Sequence, residues 1–219
     1  WDKCQDHFDW SELRDLPCWG GLDLSSSVDV SALVLAFPVD GKVAIVPHFW
    51  ICEEQAKRNE RSDRVPYREW AKAGLVTITE GNVVDYERIR RDIQELAETY
   101  PIQEIAYDRF NSSHLVTLLN GDGINMVQFG QGFTSMSGPS KEFEKLVLGN
   151  QLIHDGNKIM RWMASNVATT QDAAGNIKPV KDKSTGRIDG IVAAIMAIGR
   201  ATTSQQPYSY YETNGLEMA

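Results

Sequence analysis

Three aspartates lie where a carboxylate is unexpected. Asp23 interrupts an apolar stretch, Asp108 ends another, and Asp189 lies at the start of the last predicted helix. A buried carboxylate costs free energy unless it is paired or binds a metal. Three carboxylates that lie close together would repel one another, so divalent cations are their natural counter-charge, and hard oxygen ligands favour Mg²⁺ or Mn²⁺. Two such ions, about 3.5 to 4 Å apart, would activate a water and stabilise the leaving oxygen of a phosphodiester.

Each aspartate also has a structural interpretation. Asp23 would face water or cap a turn. Asp108 would pair with Arg109 or cap the helix after Phe110. Asp189 would occupy a first helical turn, where an anion suits the helix dipole. Each of these interpretations is favoured when its residue is considered alone, and they are less convincing when the three are considered together.

The predicted elements bring the three aspartates to one region. Residues 19–37 are typical of a hairpin, with a first strand to Ser25 and a return strand from Val30. A third strand, Lys42 to Cys52, follows the Asp40–Gly41 turn, and Pro47 would push the far end of this strand to an edge or a bulge. Helices and buried strands then alternate, which predicts a mixed α/β sheet with three antiparallel strands, then parallel strands, and helices on both faces. The predicted later segments are a short helix at 67–73, strands at 75–79, 102–107 and 124–129, helices at 86–100, 111–119, 140–148, 157–166 and 188–201, a flexible loop at 130–138 and a ribbon at 167–180. Asn82 or Asp85 would cap the helix at 86–100.

Strands that follow one another in such a sheet often lie side by side, and ligands collect at the carboxyl ends of parallel strands. We therefore expect Asp23 and Asp108 at one edge, with the final helix carrying Asp189 to both.

Four short segments resemble the C-terminal nuclease domain of tailed-bacteriophage large terminase subunits. They are Gly-Leu-Asp-Leu-Ser (21–25), Tyr-Asp-Arg (107–109), Arg-Trp-Met-Ala-Ser-Asn (161–166) and Arg-Ile-Asp-Gly-Ile-Val-Ala (187–193). The resemblance keeps the family's order from Trp19 to Ala201. It implies an RNase H-like fold and a metal-dependent endonuclease that cuts concatemeric double-stranded viral DNA during packaging. In that resemblance Asp23, Asp108 and Asp189 match the family's three metal-binding acids.

The resemblance also implies partners. Large terminase subunits carry an N-terminal packaging ATPase, but this chain has no Gly-x-x-x-x-Gly-Lys-Ser/Thr loop, so we expect that motor to be absent here. The family further implies a portal and a small terminase subunit as partners, and the host cell cytoplasm as the place of action.

Further residues are secondary candidates. Asp29 would reach a second ion or a metal-bound water, although a turn residue is the favoured interpretation. His154 would act near the leaving group, although a lone histidine is more often a packed or surface residue. The concentrated basic segment near a candidate acid would contact DNA phosphates or form a solvated loop; its residues are Lys178, Lys181, Lys183 and Arg187.

Composition sets outer limits. The 219 residues carry a net charge of −8, from 22 basic and 30 acidic residues, which disfavours a protein that coats nucleic acid by bulk electrostatics. Three cysteines without metal-binding spacing indicate a reducing compartment and argue against a zinc site. No secretory signal or membrane-length apolar run is present. The chain begins with Trp1, so we expect a piece of a longer protein with a lead-in at 1–18, a nuclease domain at 19–201 and a polar tail at 202–219.

Three other functions stay open. A resolvase or transposase would share the fold. A sugar-kinase or actin-like ATPase would also begin with a strand bearing an aspartate, but Ser25, Ser26 and Ser27 replace its glycine-rich turn. A non-catalytic adaptor would dock a portal or small subunit through exposed Trp and Tyr residues near the termini.

Overall fold

An antiparallel meander forms the first half of the sheet. The computed structural model describes residues 1–6, 8–24, 30–108 and 113–205. The meander consists of β1 (Cys18–Asp23), β2 (Ser31–Val39) and β3 (Lys42–Cys52). Asp40 and Gly41 both have positive φ, at 47° and 77°, as a tight hairpin turn requires. All of β1 is buried, so Asp23 ends a strand that water does not reach.

Parallel strands extend the sheet on both sides of the meander. They are β4 (Thr77–Thr79), β5 (Ile102–Tyr107), β6 (Met126–Gln128) and β7 (Leu152–Ile153). Within the described ranges the strand order is β4-β3-β2-β1-β5-β6, and β7 pairs with β3. A separate antiparallel ribbon consists of β8 (Thr169–Gln171) and β9 (Ile177–Pro179). The predicted mixed sheet is therefore confirmed, and β7 is a strand that the sequence did not predict.

Helices cover both faces of this sheet. They are α1 (Glu53–Ser62), α2 (Tyr67–Lys72), α3 (Tyr86–Thr99), α4 (Ser113–Gly121), α5 (Phe133–Leu148), α6 (Lys158–Asn166) and α7 (Asp189–Gln205). Alternate residues of β2 enter two separate hydrophobic clusters. Leu33 and Leu35 pack with α3 and α4, whereas Ala32 and Val34 pack on the face that carries α7.

Pro47 lies on β3, at a position where the outer side of the strand has no partner among the described strands. On its outer side, β3 pairs with β7 at Val43–Ala44 and with β4 at Trp50–Cys52. Pro47 lies between these two pairings and has no N–H to donate there. The prediction that this proline moves its strand to an edge agrees with that position.

The predicted flexible loop at 130–138 is wrong for most of its length. Helix α5 begins at Phe133 and contains both Gly138 and Pro139. Local propensity disfavours a helix in this Gly-, Ser- and Pro-containing segment, but Met136 and Ser137 are buried and Pro139 packs against Gly199 of α7. Tertiary packing therefore decides the conformation here.

The ends of the chain are only partly described. Two 3-10 turns, Asp2–Cys4 and Trp10–Asp15, precede β1 and bury Cys4 and Leu13. Most of the predicted polar tail, 206–219, lies outside the described residues. Across the described ranges, no helix combines the length and apolar character needed to cross a membrane.

Candidate active site

Three elements carry the predicted acidic residues to one edge of the sheet. Asp23 is the last residue of β1, and the parallel pair Leu22–Tyr107 places Asp108 directly after the neighbouring β5. Asp189 is the first residue of α7, which packs across β1 and β2. Asp23 is 8% exposed and Asp189 2% exposed, so both carboxylates are withdrawn from water.

Glycine allows α7 to approach the sheet this closely. A Cβ atom at Gly21 would collide with the backbone oxygen of Ala193 and lie 2.8 Å from the backbone nitrogen of Ala197. At Gly190, a Cβ atom would lie 2.9 Å from the Phe49 ring. The Gly-Gly-Leu-Asp and Asp-Gly sequences therefore allow the contact that positions Asp189 beside the end of β1.

Lys181 lies between the two buried carboxylates. Its Nζ donates a hydrogen bond to Asp189 Oδ1 at 2.5 Å and lies 3.3 Å from Asp23 Oδ2. Lys181 begins a short 3-10 turn, Lys181–Lys183, that connects β9 to the start of α7. One ammonium thus neutralises part of the charge of an acidic pair that would otherwise be repulsive.

Burial and neighbouring charges both act on the Asp23 carboxylate. Burial raises the pKa of Asp23 to about 7; Lys181 opposes that rise, and the charges of Asp189 and Asp108 add to it. The influence of Asp108 indicates that the third acid acts on the same site. Asp23 Oδ2 is buried, and the 3.3 Å ion pair with Lys181 is its contact with a charged group. An additional cation would stabilise this group of carboxylates.

The donor set fits a hard divalent cation, although the ligands are not preassembled. In the ranges that the structure describes, no three His, Cys, Asp or Glu side chains form a ready metal-ligand cluster. Lys181 occupies the gap between two of the acids. The available donors are carboxylate oxygens, which suit Mg²⁺ or Mn²⁺ and do not suit a soft-metal site.

The secondary candidates lie elsewhere. Asp29 falls in 25–29, outside the described residues. His154 directly follows β7, whose pairing with Val43 and Ala44 places it at the opposite end of the sheet from Asp23. The histidine is 2% exposed and its ring stacks on Trp1 with 4.3 Å between centroids. The structure therefore places His154 as a packed residue and does not bring it to the acidic site.

The basic segment does not act as one surface. Lys178 Nζ donates to the carbonyl oxygen of Gln131 at 3.0 Å, and Lys183 Nζ lies 3.4 Å from Thr170 Oγ1. Arg187 instead pairs with Asp63 at 2.6 Å, and their side chains are only 13% and 12% exposed. Tyr67 donates its hydroxyl to the same Asp63 carboxylate at 2.9 Å. Arg187 thus anchors the loop to α1 and α2, and its position argues against the predicted contact with DNA.

Sequence reasoning did not find two of these roles. It grouped Lys181 with the DNA-binding residues, and it gave Asp63 no role at all. No local signal identifies the Asp63–Arg187 pair, because the two residues are 124 positions apart in the chain.

Comparisons with known proteins identify the family of this chain. The family model for the terminase large subunit, endonuclease domain, matches residues 1–205. The large terminase subunit of Enterobacteria phage HK97 is 36% identical over 186 residues, which cover 84% of this chain and 37% of that protein. Protein YmfN of Escherichia coli K12 is 31% identical over 214 residues, which cover 92% and 47% respectively.

Solved structures show the same architecture. The crystal structure of the HK97 large terminase superposes with a TM-score of 0.78 at 34% identity, covering 87% of this chain and 42% of that one. The large terminase nuclease from thermophilic phage G20c with bound magnesium superposes with a TM-score of 0.55, covering 84% and 82%, but at 14% identity it supports the fold alone.

The chain spans less than half the length of the two curated relatives. The family model covers almost all of the chain, and both relatives exceed 30% identity over most of it. The resemblance seen in the four short segments is confirmed, and this chain belongs to the terminase large-subunit endonuclease domain family.

Proposed function

We propose that this domain is a metal-dependent endodeoxyribonuclease that cuts concatemeric viral DNA during genome packaging. The observation that carries the proposal is the convergence of Asp23 and Asp189 on one ammonium group, in a chain of a nuclease family. Two buried acids from separate elements, with a third acting on them electrostatically, are a costly arrangement for stability alone. Such an arrangement is typical of a site that binds cations.

In this proposal Asp23, Asp108 and Asp189 hold two Mg²⁺ or Mn²⁺ ions. The ions, when bound, supply an activated water and stabilise the leaving oxygen of the phosphodiester. The choice of metal rests on the donors, because carboxylate oxygens are the ligands that Mg²⁺ and Mn²⁺ prefer. The contribution of this chain is a group of carboxylates at the end of β1, directly after β5 and at the start of α7, of which Asp23 and Asp189 are buried.

Other residues would orient the substrate. Lys178 and Lys183 lie on the ribbon and on the turn that carries Lys181, so they are the candidates for contacts with DNA phosphates. Because the chain has a net charge of −8, two lysines should give only a low affinity for DNA. In the longer protein, a packaging ATPase domain, the portal and a small terminase subunit would hold the DNA. We expect this to occur in the host cell cytoplasm.

The adaptor interpretation receives no support from the described residues. Trp1 and Trp10 are half-buried, and no Trp or Tyr within the described ranges is exposed. The tyrosines of the tail lie outside those ranges. A resolvase or transposase would share the fold, but the family match favours the packaging nuclease.

Cleavage of supercoiled plasmid tests the proposal. The chain is incubated with Mn²⁺, with Mg²⁺ and with excess EDTA, and we expect nicked and linear products with the metals and none with EDTA. The products should carry 5′-phosphate and 3′-hydroxyl ends, which ligase can rejoin without further treatment.

A calorimetric titration with Mn²⁺ tests metal binding separately, in case the isolated domain binds DNA too weakly to cleave it. Mn²⁺ binding without cleavage would mean that the domain requires the rest of the protein to engage DNA. Cleavage that persists in EDTA, or the absence of both cleavage and Mn²⁺ binding, would contradict the proposal.

A further inference from the structure

We propose that Lys181 is a built-in competitor of the catalytic cation, because its ammonium lies where a cation between Asp23 and Asp189 would lie. The inference rests on the proposed function. It assigns to Lys181 a role that differs from the phosphate contact that its sequence surroundings predict.

The distances support this assignment. Lys181 Nζ lies 2.5 Å from an oxygen of Asp189 and 3.3 Å from an oxygen of Asp23, so it bridges the two acids. A divalent ion held by the same two oxygens would lie within a few ångströms of the ammonium. At that separation two positive charges repel strongly in a site shielded from water. Metal and ammonium therefore exclude one another between these acids.

Lys181 can leave this position. Its side chain is 49% exposed, whereas those of Asp23 and Asp189 are 11% and 3% exposed, so the cation is the partner that can reach solvent. It sits on a three-residue 3-10 turn and has a long, flexible side chain. Arg187 fixes the end of the same loop through its pair with Asp63. The loop can thus release the lysine while its attachment to α1 and α2 is kept.

The arrangement has two consequences. Without metal, Lys181 offsets part of the repulsion between two buried carboxylates and stabilises the fold. A metal ion can bind only after that ion pair breaks. The free energy needed to break the pair therefore lowers the affinity for the metal ion. Removing the ammonium should lower the stability of the metal-free protein and raise its affinity for the metal. A lysine that only stabilises the fold would not raise the affinity for the metal.

The test compares Lys181→Gln with the native chain by calorimetric titration with Mn²⁺ and by thermal unfolding. We expect the variant to bind Mn²⁺ about tenfold more tightly, the change that loss of a modest ion pair would give. Its Tm without metal should fall, and its gain in Tm on adding Mn²⁺ should exceed that of the native chain. Lys183→Gln, a change of the same charge in the same turn, should leave all three quantities unchanged. Lys181→Arg, which keeps the charge, should not bind Mn²⁺ more tightly than the native chain.

Equal or weaker Mn²⁺ affinity in folded Lys181→Gln would overturn the inference. Tighter binding by Lys181→Arg as well would also overturn it, since that variant retains the competing charge. If the native chain binds Mn²⁺ and cleaves DNA but Lys181→Gln binds no more tightly, only this inference fails. If neither the native chain nor Lys181→Gln binds Mn²⁺, the proposed function fails with it.

Discussion

Lys181 and Arg187 are only six positions apart in the sequence, yet their charged groups pair with different residues. Lys181 reaches Asp189 and Asp23 with a half-exposed side chain, whereas Arg187 is enclosed with Asp63 and Tyr67. A segment that looks like one basic patch therefore separates into a cation at the acidic site, a structural ion pair and two lysines on the ribbon side. Burial and partner decide the role of each residue.

Arg187→Gln should destabilise the domain. Removing the guanidinium leaves the Asp63 carboxylate poorly exposed and without this partner, which should cost about 2–4 kcal/mol of unfolding free energy. Urea denaturation measures the change. Lys183→Gln is the control and should stay within about 0.5 kcal/mol of the native chain. Equal stability of the two variants would show that the Arg187–Asp63 pair contributes nothing.

His48 should make stability dependent on pH in the acidic range. Burial lowers the pKa of His48 to about 4, against an ordinary value of 6.5, although the charges of Asp92 and Asp155 oppose the shift. The lowered pKa means that the unfolded chain takes up a proton first as the pH falls. The contribution of neutral His48 to stability is thus present above pH 6.5 and is lost as the pH falls towards about 4.

Replacement by a non-titrating residue tests this effect. His48→Gln should lose less unfolding free energy than the native chain between about pH 7 and pH 4.5, as measured by urea denaturation at several pH values. Parallel losses in the two proteins would show that His48 titrates alike in the folded and unfolded states.

The packing of α7 on β1 determines the site at the level of secondary structure. Gly21 allows the helix backbone to lie directly on the strand, and the first residue of that helix is Asp189. The same approach buries a run of small and apolar residues along α7 that includes Ala193, Ala194 and Ala197. The candidate site therefore depends on a contact between backbones as well as on its acidic side chains.

Gly21→Ala should disrupt this contact. The added methyl group would meet the backbone of α7 at Ala193 and Ala197, which cannot move without shifting the helix. We expect a loss of about 3 kcal/mol or more, measured by chemical denaturation. Gly138→Ala is the matched control, because its new methyl group meets nothing within 4 Å inside α5. It should be neutral or stabilise the protein by up to about 1 kcal/mol. Similar effects at both positions would contradict the role given to Gly21.

Apolar patterning predicted most of these elements correctly. The bounds of β3 and β5 agree with the prediction at both ends, because each is a β-rich apolar run that ends at turn or polar residues. Asp85 caps α3, as one of two predicted candidates. The start of α5 and the strand β7 were missed, because the first contains poor helix formers and the second has only two residues. In both places long-range packing outweighs local preference.

The candidate site was predictable only in part. The order of strands and the ends of apolar runs place Asp23 and Asp108 at one edge, and the position of Asp189 at a helix start follows from the sequence around it. The position of Lys181 between two acids does not follow, because it depends on how the ribbon and α5 pack together in three dimensions.

On the scale of the whole molecule, one sheet separates two hydrophobic clusters and holds the acids at its edge. Among the residues that the structure describes, the helices α3 and α4 carry no predicted site residue, whereas the side of α7 carries Asp189 and the basic loop. The proposed function therefore places both the chemistry and the contact with DNA at the end of the sheet where α7 begins. The chain covers less than half of the length of its two curated relatives.

Plasmid cleavage by matched aspartate variants tests the central claim most directly. Asp23→Asn, Asp108→Asn and Asp189→Asn are each compared with the native chain in Mn²⁺, with exposed Asp182→Asn as a control for the same change of charge in the loop beside the site. If the three acids hold the catalytic ions, each of the three substitutions should lower the cleavage rate by at least about a hundredfold, while Asp182→Asn cleaves like the native chain. Cleavage at the native rate by any folded variant of the three would contradict the account.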